Sequence, residues 1–433
     1  MNATPSNPPL RSATRVALLC ACALSPLAPA QNEPATLTRV LVTEGLQQRT
    51  VQVISLSEQE LVALDALSGG SIRVPLSSVR ALLPVVVPLG TAPSRRTDAT
   101  TAIRASRRLP PDTTGLLILA DAQSLPGQPG PATLISSADA LPWQSVVLGQ
   151  LSIPLDAVRS VLSSRDTPRR APGATADRVY LRNGDQAEGF VELAETPAGG
   201  GRALAFRVEV GDRASTLPWP TIESVEFGTP ITHAGGGWAW LDDGTAITTN
   251  AIAIADGSRL TLSWTDGESP TTLPAASLLA YVPSRERLGA LSAAPVTSVS
   301  PGSGRRWAPG PGTPATRPVP MDAGDIELQG PVSVTWDVGT DAQRIAGSIE
   351  MPPGDRVWGD CVVVIEDAST PSDARQLWTA RFHADAPTAS FNLALSPQAR
   401  TGGGTRLLRV RVEEGANGPA QDHVVLRRTL IER

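Results

Sequence analysis

Four times along the chain a short apolar stretch runs into a proline and resumes beyond it. Val74-Pro75-Leu76 precedes Val79 and Leu82, Ile153-Pro154-Leu155 precedes Val158 and Val161, Leu217-Pro218-Trp219 precedes Ile222 and Val225, and Leu273-Pro274-Ala275 precedes Leu278 and Tyr281. A proline has no amide hydrogen to give to a ladder, so it is tolerated at a sheet edge or as the first residue of a turn. Upstream of each signature stands a strand-turn pair, clearest at Asn183-Gly184 and Asp243-Gly244, dipeptides that favour type I′ hairpins; Glu44-Gly45 and Asp121-Ala122 take the same place in the first two copies. The turn-to-proline separations are 30, 32, 34 and 30 residues, which marks one unit repeated. Strand patterns such as Ala205 to Val210 and Leu260 to Trp264 fill the interiors. Each unit is therefore expected to be a small, strongly bent antiparallel sheet or barrel-like module closed by a proline-initiated turn. The expected units are residues 31–90, 114–167, 178–229 and 230–287, with linkers at 91–113, rich in arginine, and at 168–177.

Composition agrees with short strands and many turns. The 433 residues include 38 glycines and 40 prolines, and 41% hydrophobic residues are enough for ordinary cores. All 37 basic residues are arginine, which removes lysine Schiff bases and Walker-type phosphate loops from consideration. The three histidines, His233, His383 and His423, lack zinc-site spacing, and neither Gly-x-Ser-x-Gly nor His-Glu-x-x-His occurs. Glycoside hydrolysis would need two carboxylates at a set separation, and no catalytic domain of recognisable size remains once the repeats and a C-terminal module are assigned. The chain is accordingly expected not to be an enzyme, and no cofactor or metal is expected.

Arg11 and Arg15 precede an apolar run from Val16 to Leu24, and Ala28-Pro29-Ala30 offers a small-residue cleavage site. Residues 1–30 thus read as a signal peptide and the protein as secreted or periplasmic; cleavage after Ala30 is preferred to lipidation at Cys22. Removal of that leader would leave 35 arginines against 42 carboxylates, a balance that argues against nucleic-acid binding. It would also leave Cys361 as the lone cysteine, and its place in Cys361-Val362-Val363-Val364-Ile365 reads as a buried small hydrophobe. No later stretch is long enough for a transmembrane helix.

From about Leu288 to Met321 proline, glycine, serine and threonine dominate, and residues 288–322 read as a linker or wrapping segment. Beyond it alternation returns at Val332, Val334, Trp336 and Val338, at Ile345 to Met351, at Trp378, Ala380 and Phe382, and at Leu408, Val410 and Val412, with Arg409 and Arg411 on the opposite face. This argues for a β-sandwich over 323–433, so the whole chain is expected to be all-β.

Gln329-Gly330-Pro331-Val332-Ser333-Val334-Thr335-Trp336-Asp337-Val338 resembles the opening motif of the NPCBM family of carbohydrate-binding modules. The order of later elements is similar too: a strand around Arg344 to Met351, the apolar run Cys361 to Ile365, the acidic turn Glu366-Asp367, Leu407 to Val412, and Asp422-His423 near the end. The resemblance implies a galactose-binding-like jelly roll over 323–433 and a carbohydrate partner. Gln329 stands where the family usually has histidine, Val332 replaces a serine, and Val425-Leu426 replaces an Asp-Trp pair, departures that touch sugar binding more than fold.

A sugar site needs an aromatic plate and polar groups for the hydroxyls. Gln329, Trp358, Asp360, Asp422 and His423 are the candidates. Turn-forming neighbours Gly354, Asp355, Gly359 and Asp360 make Trp358 either a ligand platform or a half-buried loop anchor, whereas Trp336 and Trp378 alternate in phase with core residues. Asp422 and His423 would point to opposite faces in a strand, and a turn-capping, edge-bonding role is preferred for them to direct recognition. Trp238 and Trp240 share a face and read as core, as does Trp219 where sister repeats have leucine. Two functions follow: a noncatalytic binder of a glycan or cell-envelope polysaccharide, or a structural or protein-interaction protein of the cell envelope with a degenerate module.

Overall fold

The computed structural model describes residues 37–89, 115–131, 139–164, 176–198, 201–230, 235–264, 270–302, 304–312, 320–369, 374–396, 405–418 and 421–433, with residues 167 and 232. The expected signal peptide, the arginine-rich linker 91–113, nearly all of 168–177 and His233 lie outside the described residues. Among the described residues the structure is all-β, with single 3-10 turns between strands.

The first unit comprises β1 (Leu37–Thr43), β2 (Gln48–Leu56), β3 (Glu60–Asp65), β4 (Ser71–Pro75) and β5 (Val79–Leu83). The second comprises β6 (Gly115–Leu119), β7 (Ser124–Pro129), β8 (Ala140–Ser145), β9 (Gly149–Pro154) and β10 (Val158–Leu162). The third comprises β11 (Asp177–Leu181), β12 (Gln186–Ala198), β13 (Gly201–Val210), β14 (Arg213–Pro218) and β15 (Ile222–Glu226). In the fourth, β16 (Gly237–Leu241) is followed by a second strand broken into β17 (Ala246–Thr249) and β18 (Ala251–Ala255), then β19 (Arg259–Ser263), β20 (Thr271–Pro274) and β21 (Leu278–Val282). Within every unit the strands pair antiparallel in sequence order up to the proline-ended one, and the last returns to pair with the first instead, as β5 does with β1 and β15 with β11. This return bends each sheet into the expected barrel-like module.

The repeated proline ends the penultimate strand and caps a 3-10 turn, with φ of −55°, −56°, −65° and −59° at Pro75, Pro154, Pro218 and Pro274. Those angles are what the pyrrolidine ring enforces, and a strand end requires no amide donor there. The first hairpin differs from expectation. At Asn183-Gly184 only the glycine has positive φ, 91°; the Gly184 amide donates to Leu181 O (3.0 Å) and the Leu181 amide to Asp185 O (2.9 Å). A type I′ turn needs positive φ at two residues, so this is a three-residue loop closed by a left-handed position, and Asp243-Gly244 forms the same loop.

Pairing between units does not follow chain order. The last strands of units two and three pair, Val161 opposite Val225, and those of units one and four meet at Leu82 and Tyr281. Units two and four join through Ser124 and Ala246. One continuous core runs through all four, containing Leu41, Leu82, Leu117, Trp143, Val161, Phe206, Val225, Ile254 and Leu278.

The remaining strands form a sandwich. One sheet runs β22 (Leu288–Ala290), β31 (His423–Glu432), β26 (Arg344–Glu350), β29 (Thr388–Ala394), with β24 (Ile326–Gln329) also on β31. The other runs β23 (Val296–Pro301), β25 (Val332–Asp337), β30 (Leu407–Glu414), β27 (Cys361–Asp367), β28 (Arg375–Phe382). Here the expected linker is corrected: β22 and β23 fall inside 288–322 and belong to the sandwich. An edge strand is held by its ladder alone and needs no apolar alternation; β23 is exposed along its whole length and ends in a proline.

Between the sheets lie Val334, Trp336, Ile349, Cys361, Val363, Ile365, Phe382, Val410 and Leu426. Trp378 is half-buried against Phe382 and Phe391, with centroids 6.4 and 5.7 Å away. A third core joins sandwich to repeats: Val42 and Leu46 of unit one, Trp238 and Trp240 of unit four, and Leu288, Ala346 and Leu430 of the sandwich. The two tryptophans stack at 5.7 Å with the Arg285 guanidinium 4.7 Å from the Trp238 ring. Trp219 is half-buried, 6.1 Å from Phe206 and packed on the repeat core.

Candidate carbohydrate site

At one end of the sandwich the loop 352–360 leads into β27, residues 415–421 follow β30, and β24 ends beside the start of β31, with Gln329 opposite His423. Four of the five candidates, Trp358, Asp360, Asp422 and His423, are linked there by hydrogen bonds to one another or to the same loops, and Gln329 lies exposed next to His423.

Trp358 is the exposed member, at 63% of its full surface. Its amide donates to Gln421 Oε1 (3.2 Å) and its carbonyl accepts from Asn417 Nδ2 (3.2 Å), so the backbone is tied down while the indole faces solvent. The neighbouring Gly359 is required by packing: a Cβ there would stand 2.6 Å from Asp355 O and 2.8 Å from Gln421 O. An open depression beside this loop is lined by Arg356, Val357, Gly359, Arg381, His383, Ala416 and Asn417, with Asp360 below.

Asp360 and Asp422 are both buried beneath this end of the sandwich. Asp360 is buried, and its two oxygens accept from Arg381 Nε and Nη2, each at 2.6 Å, while Oδ2 also accepts the Ala416 amide (2.8 Å). Those bonds, the Arg381 pair foremost, hold its carboxyl down at about 2. Arg381 leaves 55% of its side chain exposed, so Asp360 orients a guanidinium presented to the depression. Asp422 is 2% exposed; its Oδ1 accepts the Asp360 amide at 3.4 Å and its Oδ2 has no partner among the described residues. Burial first, then the charges of Asp360 and Glu414, push its carboxyl up to about 6. His423 is half-buried with Nδ1 bonded to Asp355 Oδ2 at 2.9 Å, which ties β31 to the loop carrying Trp358.

Sequence reasoning missed Arg381, His383, Arg356 and Asn417. The out-of-phase position of Arg381 between Ala380 and Phe382 indicates an outward side chain, but only the register Val362 opposite Arg381 brings it over Asp360. Cys361 is buried in the strand that leaves this network, and burial pushes its thiol up to about 12. Among the described residues no helix is long and apolar enough to cross a membrane.

No family model matches the chain, and no curated protein sequence matches it. Solved structures similar to it include carbohydrate-binding modules. CBM51 from Clostridium perfringens GH95 in complex with methyl-galactose is 12% identical, with 33% of this chain and 99% of that chain covered and a TM-score of 0.24. The tandem CBM51 modules of the family 98 glycoside hydrolase from Streptococcus pneumoniae are 8% identical over 91% of this chain and 88% of that one, at a TM-score of 0.25. For the CBM51-2 and INT domains of Clostridium perfringens ZmpB the identity is 12% over 42% of this chain, at a TM-score of 0.25. The chain spans 39% of that last structure's length. No family model stands behind the resemblance to NPCBM.

Proposed function

We propose that the protein is a secreted or periplasmic noncatalytic binding protein that engages carbohydrate at this end of the sandwich. Trp358 is the plate for the apolar face of a sugar ring, and Arg381, His383 and Asn417 supply hydrogen bonds to its hydroxyls. Gln329 and His423 form the rim beyond the Asp355 loop, and Asp360 and Asp422 act beneath it, as positioning residues. The repeats hold the module as a spacer. The observation that carries this reading is Trp358 itself: an indole left 63% exposed on a backbone fastened from both sides, in the loop whose Val357 and Gly359 border the depression.

A glycan-array screen of the full chain tests it, with Trp358→Ala as the paired variant. Saturable binding that the variant loses by at least tenfold is the expected result. A folded wild-type protein that binds no glycan would return the reading to protein association, for which exposed Val296 and Val299 on the open edge strand β23 offer one apolar surface.

A further inference from the structure

We infer that Trp307 is a second aromatic platform of the same binding end, so that the ligand is an oligosaccharide chain spanning both indoles; this rests on the carbohydrate reading of Trp358. Trp307 is 74% exposed, the most solvent-accessible tryptophan among the described residues. Exposing an indole is unfavourable, and a mobile tail could relieve it by folding the ring onto the surface. The segment carrying Trp307 is instead fastened on both sides. Before it, the Gly302 amide donates to Pro331 O at 3.0 Å; after it, Gly312 and Glu327 exchange two backbone hydrogen bonds of 3.0 and 2.8 Å. Ala308, the next residue, packs on the sandwich core.

The same segment reaches the Trp358 network by two routes. The Arg305 charge acts on the Asp422 carboxylate, whose Oδ1 receives the Asp360 amide. Glu327 belongs to β24, whose Gln329 lies opposite His423, and His423 bonds Asp355 in the Trp358 loop. The segment carrying Trp307 and the loop carrying Trp358 are therefore both tied to the end of the sandwich where β24 meets β31, and both indoles are exposed. A single sugar ring covers one plate, so a second plate adds affinity only for a ligand of several rings.

The test uses the full chain and isothermal titration with galactose, β-1,4-galactotetraose, N-acetylglucosamine and its β-1,4 tetramer. For the sugar that binds, the wild type is expected to take the tetramer about tenfold tighter than the monosaccharide. Trp307→Ala should remove that gain and leave monosaccharide affinity unchanged, Trp307→Phe should keep most of it, and Trp358→Ala should abolish both. Equal tetramer affinity in Trp307→Ala and wild type, with an unchanged melting temperature, overturns the second platform while the Trp358 site stands. A change in oligomeric state of Trp307→Ala, without a change in sugar affinity, would assign the indole to a protein contact and also overturn it. Failure of all four sugars to bind the wild type removes both readings.

Discussion

Asp422 and Asp360 are near neighbours with opposite electrostatic fates. Asp360 is stabilised as a carboxylate by the Arg381 fork and the Ala416 amide, whereas Asp422 is buried with one oxygen unpartnered among the described residues and carries the charges of Asp360 and Glu414 beside it. A carboxyl raised from 3.8 to about 6 on folding binds its proton more tightly in the folded state. Stability must then fall as pH rises from about 4 to about 6 and level off above that. Asp360, lowered to about 2, acts in the other sense, its contribution being lost only as pH falls below about 4. Urea midpoints at pH 4, 5, 6 and 7 are expected to show the first slope in wild type and a flatter line in Asp422→Asn. A slope unchanged in that variant would place its source elsewhere. Both acids are visible as residues in the sequence, but their roles follow from burial, which depends on strands far away in the chain.

At the scale of elements, the repeat is the most legible feature because each part of it is local chemistry. Pro75, Pro154, Pro218 and Pro274 mark strand ends through the fixed angle of one ring, and alternation along β25 or β30 marks the buried face. Turn type was less legible, since Asn183 and Asp243 are compatible with more than one loop and the extra residue that decides is set by the strand register. The seams between units were not legible at all. Gln123 is an example: its Oε1 accepts from Thr248 N (2.9 Å) and from Trp264 Nε1 (2.7 Å), joining unit two to unit four. Gln123→Ala leaves two donors without an acceptor and is expected to cost about 1–3 kcal/mol, measured by equilibrium denaturation. A loss below about 0.5 kcal/mol would mean that water replaces the side chain.

For the whole molecule, the sandwich and the repeats are joined by a common core rather than by a tether. Trp238 and Trp240 pack with Leu288, Ala346 and Leu430, and Arg80 of unit one pairs with Glu432 at 3.1 Å. A fragment of residues 323–433 lacks β22 and β23, which uncovers the β31 and β25 edges, and it exposes the sandwich side of the shared core. Such a fragment is expected to be poorly folded, and one of residues 285–433 better folded, though less stable than the full chain. Circular dichroism melts and gel filtration of the three proteins decide this; equal melting temperatures for 323–433 and the full chain would contradict it.

Taken by itself, the sequence determined the all-β class, the four repeated units with their proline turns, and the buried alternation that makes Trp336 core. These depend on ring geometry, missing amide hydrogens and side-chain period, all of which act within a few residues. The tertiary structure alone decided that unit four sits between units one and two, that residues 288–301 complete the sandwich, and that Arg381 covers Asp360. Each of these is a pairing between distant segments, chosen by which edges and apolar faces remain open once the local units have formed.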